Sequence, residues 1–267
     1  MMETQVAEHK PKKIVPADLT NRKKVVEVRD LHIAFGDNKV LDGFDLDLYE
    51  GENLVILGRS GSGKSVLIKC MVGLLKPDSG SIKVLGCDVP NLKPKELNEL
   101  RKQVGFSFQL SALYDSMTVR ENLEFPIRRN LGIDEKQKLD QMTKKALEDV
   151  GLAKAIDQKP VELSGGMKKR VGIARTLILQ PKIMLYDEPT AGLDPVTSME
   201  LNELILEVRE LYKTSSIIIT HDISCAQQTA DRIIALFDGK NKFQGTFDEL
   251  KKVNAPELRA FFEYFNE

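Results

Sequence analysis

Apolar positions along this chain fall into two rhythms. Leu54-Val55-Ile56-Leu57, Ile183-Met184-Leu185-Tyr186, Ile217-Ile218-Ile219 and Ile233-Ile234-Ala235-Leu236-Phe237 are short unbroken runs. Runs of that length predict strands covered on both faces, as in a parallel sheet under helices. Phe44-Asp45-Leu46-Asp47-Leu48 alternates with period two, as a half-buried antiparallel strand does. With the strand-like pattern from Val25 it predicts a β-rich lobe ahead of residue 58, and Ser81-Ile82-Lys83-Val84-Leu85 reads as a further strand.

Between these runs the pattern turns helical. Helices are expected over Val66 to Leu75, Lys138 to Val150 and Met167 to Leu179, and Thr118-Val119-Arg120-Glu121 has the form of a capping box that opens another. The stretch from about 95 to 162 is mostly helical by composition. From Gly165 onward helices alternate with apolar strands, the mark of an α/β core on a parallel sheet. The expected organisation is a loose arm over 1–24 and a main domain over 25–245, with a helical subdomain inserted at about 95–165. A helical extension over 246–267 follows, with a second capping box at Thr246-Phe247-Asp248-Glu249. Leu258, Phe261, Phe262 and Phe265 share one face of its last helix, expected to pack on its own domain rather than on a dimer partner.

Composition narrows the class. A 267-residue chain that is 42% hydrophobic can bury a sizeable core. Its 39 basic and 40 acidic residues leave a formal charge of −1, no field to hold nucleic acid, and no nucleic-acid partner is expected. Cys70, Cys87 and Cys225 are scattered, which predicts buried thiols in a reducing compartment rather than disulfides or zinc. No apolar run approaches the roughly 18 residues that span a bilayer, so a membrane role is expected through a partner.

Gly58-Arg59-Ser60-Gly61-Ser62-Gly63-Lys64-Ser65 sits between the Leu54–Leu57 run and the helix that Val66 enters. Three glycines without Cβ atoms let backbone N–H groups converge on phosphate oxygens at a helix N-terminus. Lys64 would reach the β- and γ-phosphates and the Ser65 hydroxyl would ligate Mg²⁺. Asp187 and Glu188 end an apolar strand, at the sheet edge where α/β proteins bind ligands. Alone, such a pair merely turns the chain. Beside a phosphate loop, Asp187 reads as a Mg²⁺ holder and Glu188 as the group that orients or deprotonates the attacking water. His221 ends another such strand. Gly165-Gly166 opens a second helix with unpaired N–H groups, an anion site that is either idle or serves a neighbour's nucleotide.

In this order the motifs resemble the ATP-binding subunit of an ABC transporter over about residues 25–245. Gln109 in Phe106-Ser107-Phe108-Gln109 falls at the family's Q-loop, Leu163-Ser164-Gly165-Gly166-Met167 at its signature, and Ile183 to Glu188 at its Walker B strand. Thr190-Ala191-Gly192-Leu193-Asp194 matches its D-loop and His221 its switch histidine. The resemblance implies a P-loop NTPase core, ATP hydrolysis with Mg²⁺, Phe35 stacked on adenine and Gln109 beside the metal. It implies a head-to-tail homodimer, with Ser164, Gly165 and Gly166 closing on the γ-phosphate held by the other copy. It also implies an integral membrane permease at the cytoplasmic face of the inner membrane.

The segment Gln109 to Asn122, Lys64-Ser65-Val66-Leu67, and Met167 where most relatives have glutamine are similar to the ATPases of Mla-type phospholipid transporters. That implies a permease of that type, an MCE-domain lipid-binding protein, and a groove between Gln109 and about Arg129 for the permease's coupling helix. An importer of amino acids or similar solutes is the alternative. Chromosome-organising relatives carry a long coiled coil between phosphate loop and signature, and here only about a hundred residues intervene.

Overall fold

The computed structural model describes residues 21–263; the expected arm, apart from its last four residues, and Phe265 lie outside them. Strands β1 (Lys24–Phe35) and β2 (Asn38–Tyr49) form a hairpin, and β3 (Asn53–Leu57) leads into helix α1 (Lys64–Met71). Next come β4 (Ser79–Val84), β5 (Cys87–Asp88), α2 (Pro94–Lys102) and β6 (Val104–Ser107). A helical stretch follows, with α3 (Val119–Pro126), a π-turn over Ile127–Leu131, α4 (Lys136–Glu148) and α5 (Gly165–Leu177). The chain continues through β7 (Ile183–Asp187), α6 (Pro195–Tyr212), β8 (Ser215–Thr220), α7 (Ile223–Thr229), β9 (Arg232–Phe237) and β10 (Lys240–Gly245). It ends in α8 (Phe247–Lys252) and α9 (Pro256–Glu263).

Among the described residues the strands form two sheets. The larger has the order β10-β9-β3-β8-β7-β6, parallel throughout except for β10, which folds back on β9. The smaller, β2-β1-β4-β5, is antiparallel. The unbroken apolar runs are explained by what covers each face. Leu54, Ile56, Ile183, Leu185, Ile217 and Ile219 face the β lobe and α1. Val55, Leu57, Met184, Tyr186 and Ile218 point the other way, into a core shared with α3 to α9. Period-two alternation persists, but both faces are dry.

Two boundaries differ from the expectation. Val104–Ser107, inside the stretch expected to be helical, is the edge strand of the main sheet, paired in parallel with β7 from Val104↔Ile183 to Ser107↔Tyr186. Four residues are too few to show a period. Gly105 lets this strand close in, since a Cβ there would lie 2.4 Å from Thr176 Cγ2 and 2.5 Å from Met184 Sδ. The stretch expected to be helical from about 95 thus opens with a helix, α2, and is then interrupted by this strand. The β lobe likewise draws β4 and β5 from beyond the phosphate loop, because β1 has two edges and β2 covers only one.

Both capping boxes form. Glu121 N donates to Thr118 Oγ1 at 3.2 Å while Thr118 N donates to Glu121 Oε2 at 2.7 Å, and Thr246 and Glu249 repeat the exchange at 3.2 and 2.8 Å. Leu258 and Phe262 of α9 are buried in the main core, where Phe262 meets Phe247 edge-on at 5.4 Å. The cysteines are free thiols. Burial pushes Cys70 up to about 11 and Cys225 to about 12, so neither is a ready nucleophile.

Candidate active site

Three neighbouring strands end together. Leu57 of β3 pairs with Thr220 of β8, and Asp187 of β7 pairs with Ile219, so the phosphate loop, the Asp187-Glu188 pair and His221 leave the same edge of the sheet. Residues up to 164 positions apart converge because parallel strands share one C-terminal edge.

The loop has the shape its glycines require. Gly61 and Gly63 sit at φ 80° and 100°, a region that costs any other L-residue dearly. A Cβ on Gly63 would lie 2.7 Å from Val40 Cγ1, and one on Gly58 would lie 2.7 Å from Ser62 Oγ. Gly63 caps α1 without any side-chain acceptor, which leaves the helix's first N–H groups for an anion. The Ser62 hydroxyl is buried without a partner. Lys64 is 5% exposed, and its ammonium donates to the carbonyls of Gly58 at 2.7 Å and Arg59 at 3.0 Å while lying 3.3 Å from Glu188 Oε1. Arg59, Ser60, Gly61 and Ser62 line one cleft with Asn38, Lys39 and Val40 of the hairpin. Phe35 stands at the tip of that hairpin, 51% exposed, a flat apolar ring open to a base. Val66 is half-buried against the β-lobe core and offers the site only its backbone.

Ser65 Oγ donates to Asp187 Oδ1 at 3.1 Å. Hydroxyl and carboxylate oxygens suit Mg²⁺, which takes one or two protein oxygens and completes its octahedron with phosphates and water. Among the described residues no group of three or more acidic, histidine or cysteine side chains is placed to hold a metal ion. Burial raises the Asp187 carboxyl above its ordinary value, with the Ser65 hydrogen bond and the nearby lysines pulling against it. A cation at the site would remove this desolvation penalty.

Glu188 is the most heavily held side chain of the group. Its Oε2 accepts from Thr220 Oγ1 at 3.2 Å and from His221 N at 3.3 Å, and lies 2.9 Å from His221 Nδ1. Its backbone is left-handed, φ 47°, a strained conformation for a non-glycine residue. His221 is exposed beyond it and lines a cleft with Thr190, Gly192 and Leu193.

Gln109 is exposed, and its backbone carbonyl is bound by Lys169 of α5. Lys169 also donates to the Glu188 carbonyl at 3.1 Å, so it ties both loops. The sequence reading passed over this residue. Its signal was a lysine among the buried positions Gly166, Val171 and Ile173 of one helix.

Ser164, Gly165 and Gly166 occupy the expected helix start. Ser164 is the N-cap of α5, with Met167 N donating to its Oγ at 3.2 Å, and Ser164 and Gly165 are exposed. The neighbours of Gly165 and Gly166 are Leu193 and Thr197, beside the Thr190–Asp194 segment. Asp194 itself caps α6, accepting from Thr197 N at 3.0 Å.

A family model described as ABC transporter matches residues 41–191. The chain is 38% identical over 236 residues to a probable ribonucleotide transport ATP-binding protein of Mycobacterium leprae, covering 88% of this chain and 68% of that protein. It is 38% identical over 238 residues to a methionine import ATP-binding protein of Clostridium tetani, covering 86% and 74%. The Arabidopsis thaliana chloroplastic protein trigalactosyldiacylglycerol 3 is 36% identical over 254 residues, covering 89% and 73%. Among solved structures, a dimeric ATP-binding cassette in a post-hydrolysis state, bound to ADP and Pi, superposes with a TM-score of 0.75 at 31% identity, over 83% of this chain and 98% of that one.

Proposed function

This chain belongs to the ABC transporter family as an ATP-binding subunit that hydrolyses ATP with Mg²⁺, and from that premise we propose that two copies pair head to tail to drive a permease that carries phospholipid between membranes. The observation that carries the pairing is that the chain's two glycine-rich helix starts have different neighbours, Val40 and Leu41 at Gly63 but Leu193 and Thr197 at Gly165 and Gly166. The phosphate loop lies at the edge of β3, while the Ser164-Gly165-Gly166 helix start lies against Leu193 and Thr197. In a head-to-tail pair, each copy's helix start closes on the γ-phosphate held by the other.

The side chains have distinct roles in the reaction. Triphosphate entering the cradle takes the Lys64 ammonium from the Gly58 and Arg59 carbonyls, loosening its hold on Glu188 Oε1. Glu188 then receives a proton from the water whose oxygen attacks the γ-phosphorus, and the β–γ P–O bond breaks with its electron pair leaving on ADP. His221 and Thr220 keep the carboxylate aimed, and Phe35 stacks on the base. Ser65 and Asp187, with Gln109 alongside, would hold Mg²⁺, which would supply positive charge to offset that of the phosphates. Loss of the γ-phosphate removes the anion between the copies, and the pair opens.

Two features support a lipid cargo, the first of them phospholipid in particular. The Gln109–Asn122 segment and Met167 are similar to the Mla-type ATPases, and one relative is named for the lipid trigalactosyldiacylglycerol. None of the helices in the described residues is long and apolar enough to cross a membrane, so the permease supplies the path. Phe108, Leu110 and Tyr114 expose apolar surface between the Gln109 loop and the helical subdomain, where a coupling helix of that permease, on the cytoplasmic face of the inner membrane, would seat. The 38% identity to a methionine import protein, against 36% to the lipid-named relative, favours a second reading, a small-solute importer. Purification of the tagged chain from gently solubilised membranes separates the two. Co-purifying phospholipid and an MCE-domain protein are expected, and a solute-binding protein without lipid would replace this cargo with the importer's.

A further inference from the structure

One face of α5 grips the loop that follows Gln109. Lys169, Gly172 and Arg175 recur every three residues and so share that face. Lys169 is 8% exposed and donates to Gln109 O at 2.5 Å and Glu188 O at 3.1 Å. Arg175 Nη1 donates to Ala112 O at 2.7 Å, and its guanidinium lies 5.6 Å from the Tyr114 ring centroid. Between them Gly172 admits the loop: a Cβ there would lie 3.2 Å from Ser111 Cβ and 3.3 Å from Ser111 O.

The gripped backbone is strained. Ser111 and Ala112 hold φ of 61° and 46°, a left-handed conformation that non-glycine residues keep only where their surroundings over-determine it. Desolvating an ammonium is also costly, and burial lowers the proton affinity of Lys169. A methionine would fill the same space without that cost. The charge is matched to the two carbonyls it serves, one on the Q-loop and one on the residue that handles water.

We propose that Lys169 is a positioning residue for ATP hydrolysis, locking the Gln109 loop and the Glu188 backbone to the helix that begins with Ser164-Gly165-Gly166, with Gly172 and Arg175 completing the clamp. The inference rests on the head-to-tail reading above: contact of one helix start with the other copy's phosphate then moves Gln109 and Glu188 of its own chain as one body. Lys169 touches no phosphate. Its loss therefore falls on turnover rather than on nucleotide affinity.

The test uses the isolated full chain with ATP and Mg²⁺. Lys169→Met is expected to lower kcat at least tenfold with KM for ATP changed less than threefold, and Lys169→Arg, which can still donate to both carbonyls, to recover kcat to within threefold of wild type. The chain has no tryptophan, so Leu110→Trp supplies a single reporter on the loop. Adding Lys169→Met should lower its fluorescence anisotropy at unchanged melting temperature. If the methionine variant fails to fold, Gly172→Ala, which crowds Ser111 without altering charge, should lower kcat several-fold with KM held. Wild-type kcat and unaltered anisotropy in the folded methionine variant, or wild-type kcat with Gly172→Ala, would overturn the clamp. Glu188→Gln run alongside separates the two failures. An active Glu188→Gln removes the hydrolysis reading on which the clamp depends; an inactive one beside a normal Lys169→Met removes the clamp alone.

Discussion

Glu188 and His221 meet through Oε2 and Nδ1 at 2.9 Å, although 33 residues separate them. The contact exists because β7 and β8 are parallel neighbours whose ends coincide. It ties a carboxylate at the C-terminal edge of the sheet to an exposed ring.

Replacing Glu188 by Gln keeps the volume and an oxygen for Thr220 and His221 but removes the proton acceptor. Loss of a positioned general base costs about 10²- to 10⁴-fold. Phosphate release should fall by that factor while ATP binding, measured by equilibrium titration, stays within a few-fold. Turnover near wild type would assign the role elsewhere.

Lys64→Ala strips the cradle of its ammonium. Each hydrogen bond to a charged group contributes about 1.5–3 kcal/mol, so ATP affinity should fall roughly tenfold to a hundredfold and hydrolysis with it. Direct binding of a fluorescent ATP analogue gives the number. An unchanged affinity would contradict the cradle.

Gly165→Asp places a carboxylate where the helix start should meet phosphate, and on its own should abolish turnover. If that site acts in trans, mixing this variant with Lys64→Ala creates pairs with one intact composite site. Equal mixing makes half the pairs mixed, each with one of two sites, so activity should return to about a quarter of wild type. No recovery in a mixture shown to exchange subunits would place the helix start in cis.

Asp187→Asn trades function for stability. Because burial raises the Asp187 carboxyl, the ionised form is disfavoured in the folded chain. Its contribution to stability is therefore present below the ordinary carboxylate range and lost as pH rises through the raised value. At pH 7 and without Mg²⁺, the neutral asparagine should melt higher than the wild type. That gain should vanish toward pH 4, while Mg²⁺-dependent hydrolysis is lost throughout. A lower melting temperature at pH 7 would show that the carboxylate is needed for folding.

Leu110 is 89% exposed beside Phe108 and Tyr114. Leu110→Glu should leave the hydrolysis of the isolated chain within twofold of wild type but abolish its stimulation by the permease, read as phosphate release from reconstituted vesicles. Stimulation that survives the charge would move the docking surface off this loop.

Much of the site was legible in the order of residues because its chemistry is local. A phosphate cradle needs glycines at fixed offsets from a lysine and a hydroxyl, and a strand buried on both faces needs an apolar run, so Gly58–Ser65, Ile183–Glu188 and Ile217–His221 carry their meaning within eight residues each. The capping boxes at Thr118 and Thr246 were readable for the same reason.

Features set by packing were not. Val104–Ser107 is a strand only because β7 offers an edge and Gly105 fits under Thr176 and Met184. The left-handed backbones of Ser111, Ala112 and Glu188 run against local preference and are held from outside. Lys169 looks in sequence like one of two adjacent surface lysines in Met167-Lys168-Lys169-Arg170, and only the fold buries it against two carbonyls from residues 60 and 19 positions away. The sequence alone thus determined which chemical groups are present and the short elements that carry them, since propensity, glycine freedom and hydrophobic period act over a few residues. Which groups meet, and which cation is desolvated to hold them, was decided by tertiary structure, because the energy of burial and of long-range hydrogen bonds exists only once the sheet has brought distant segments together.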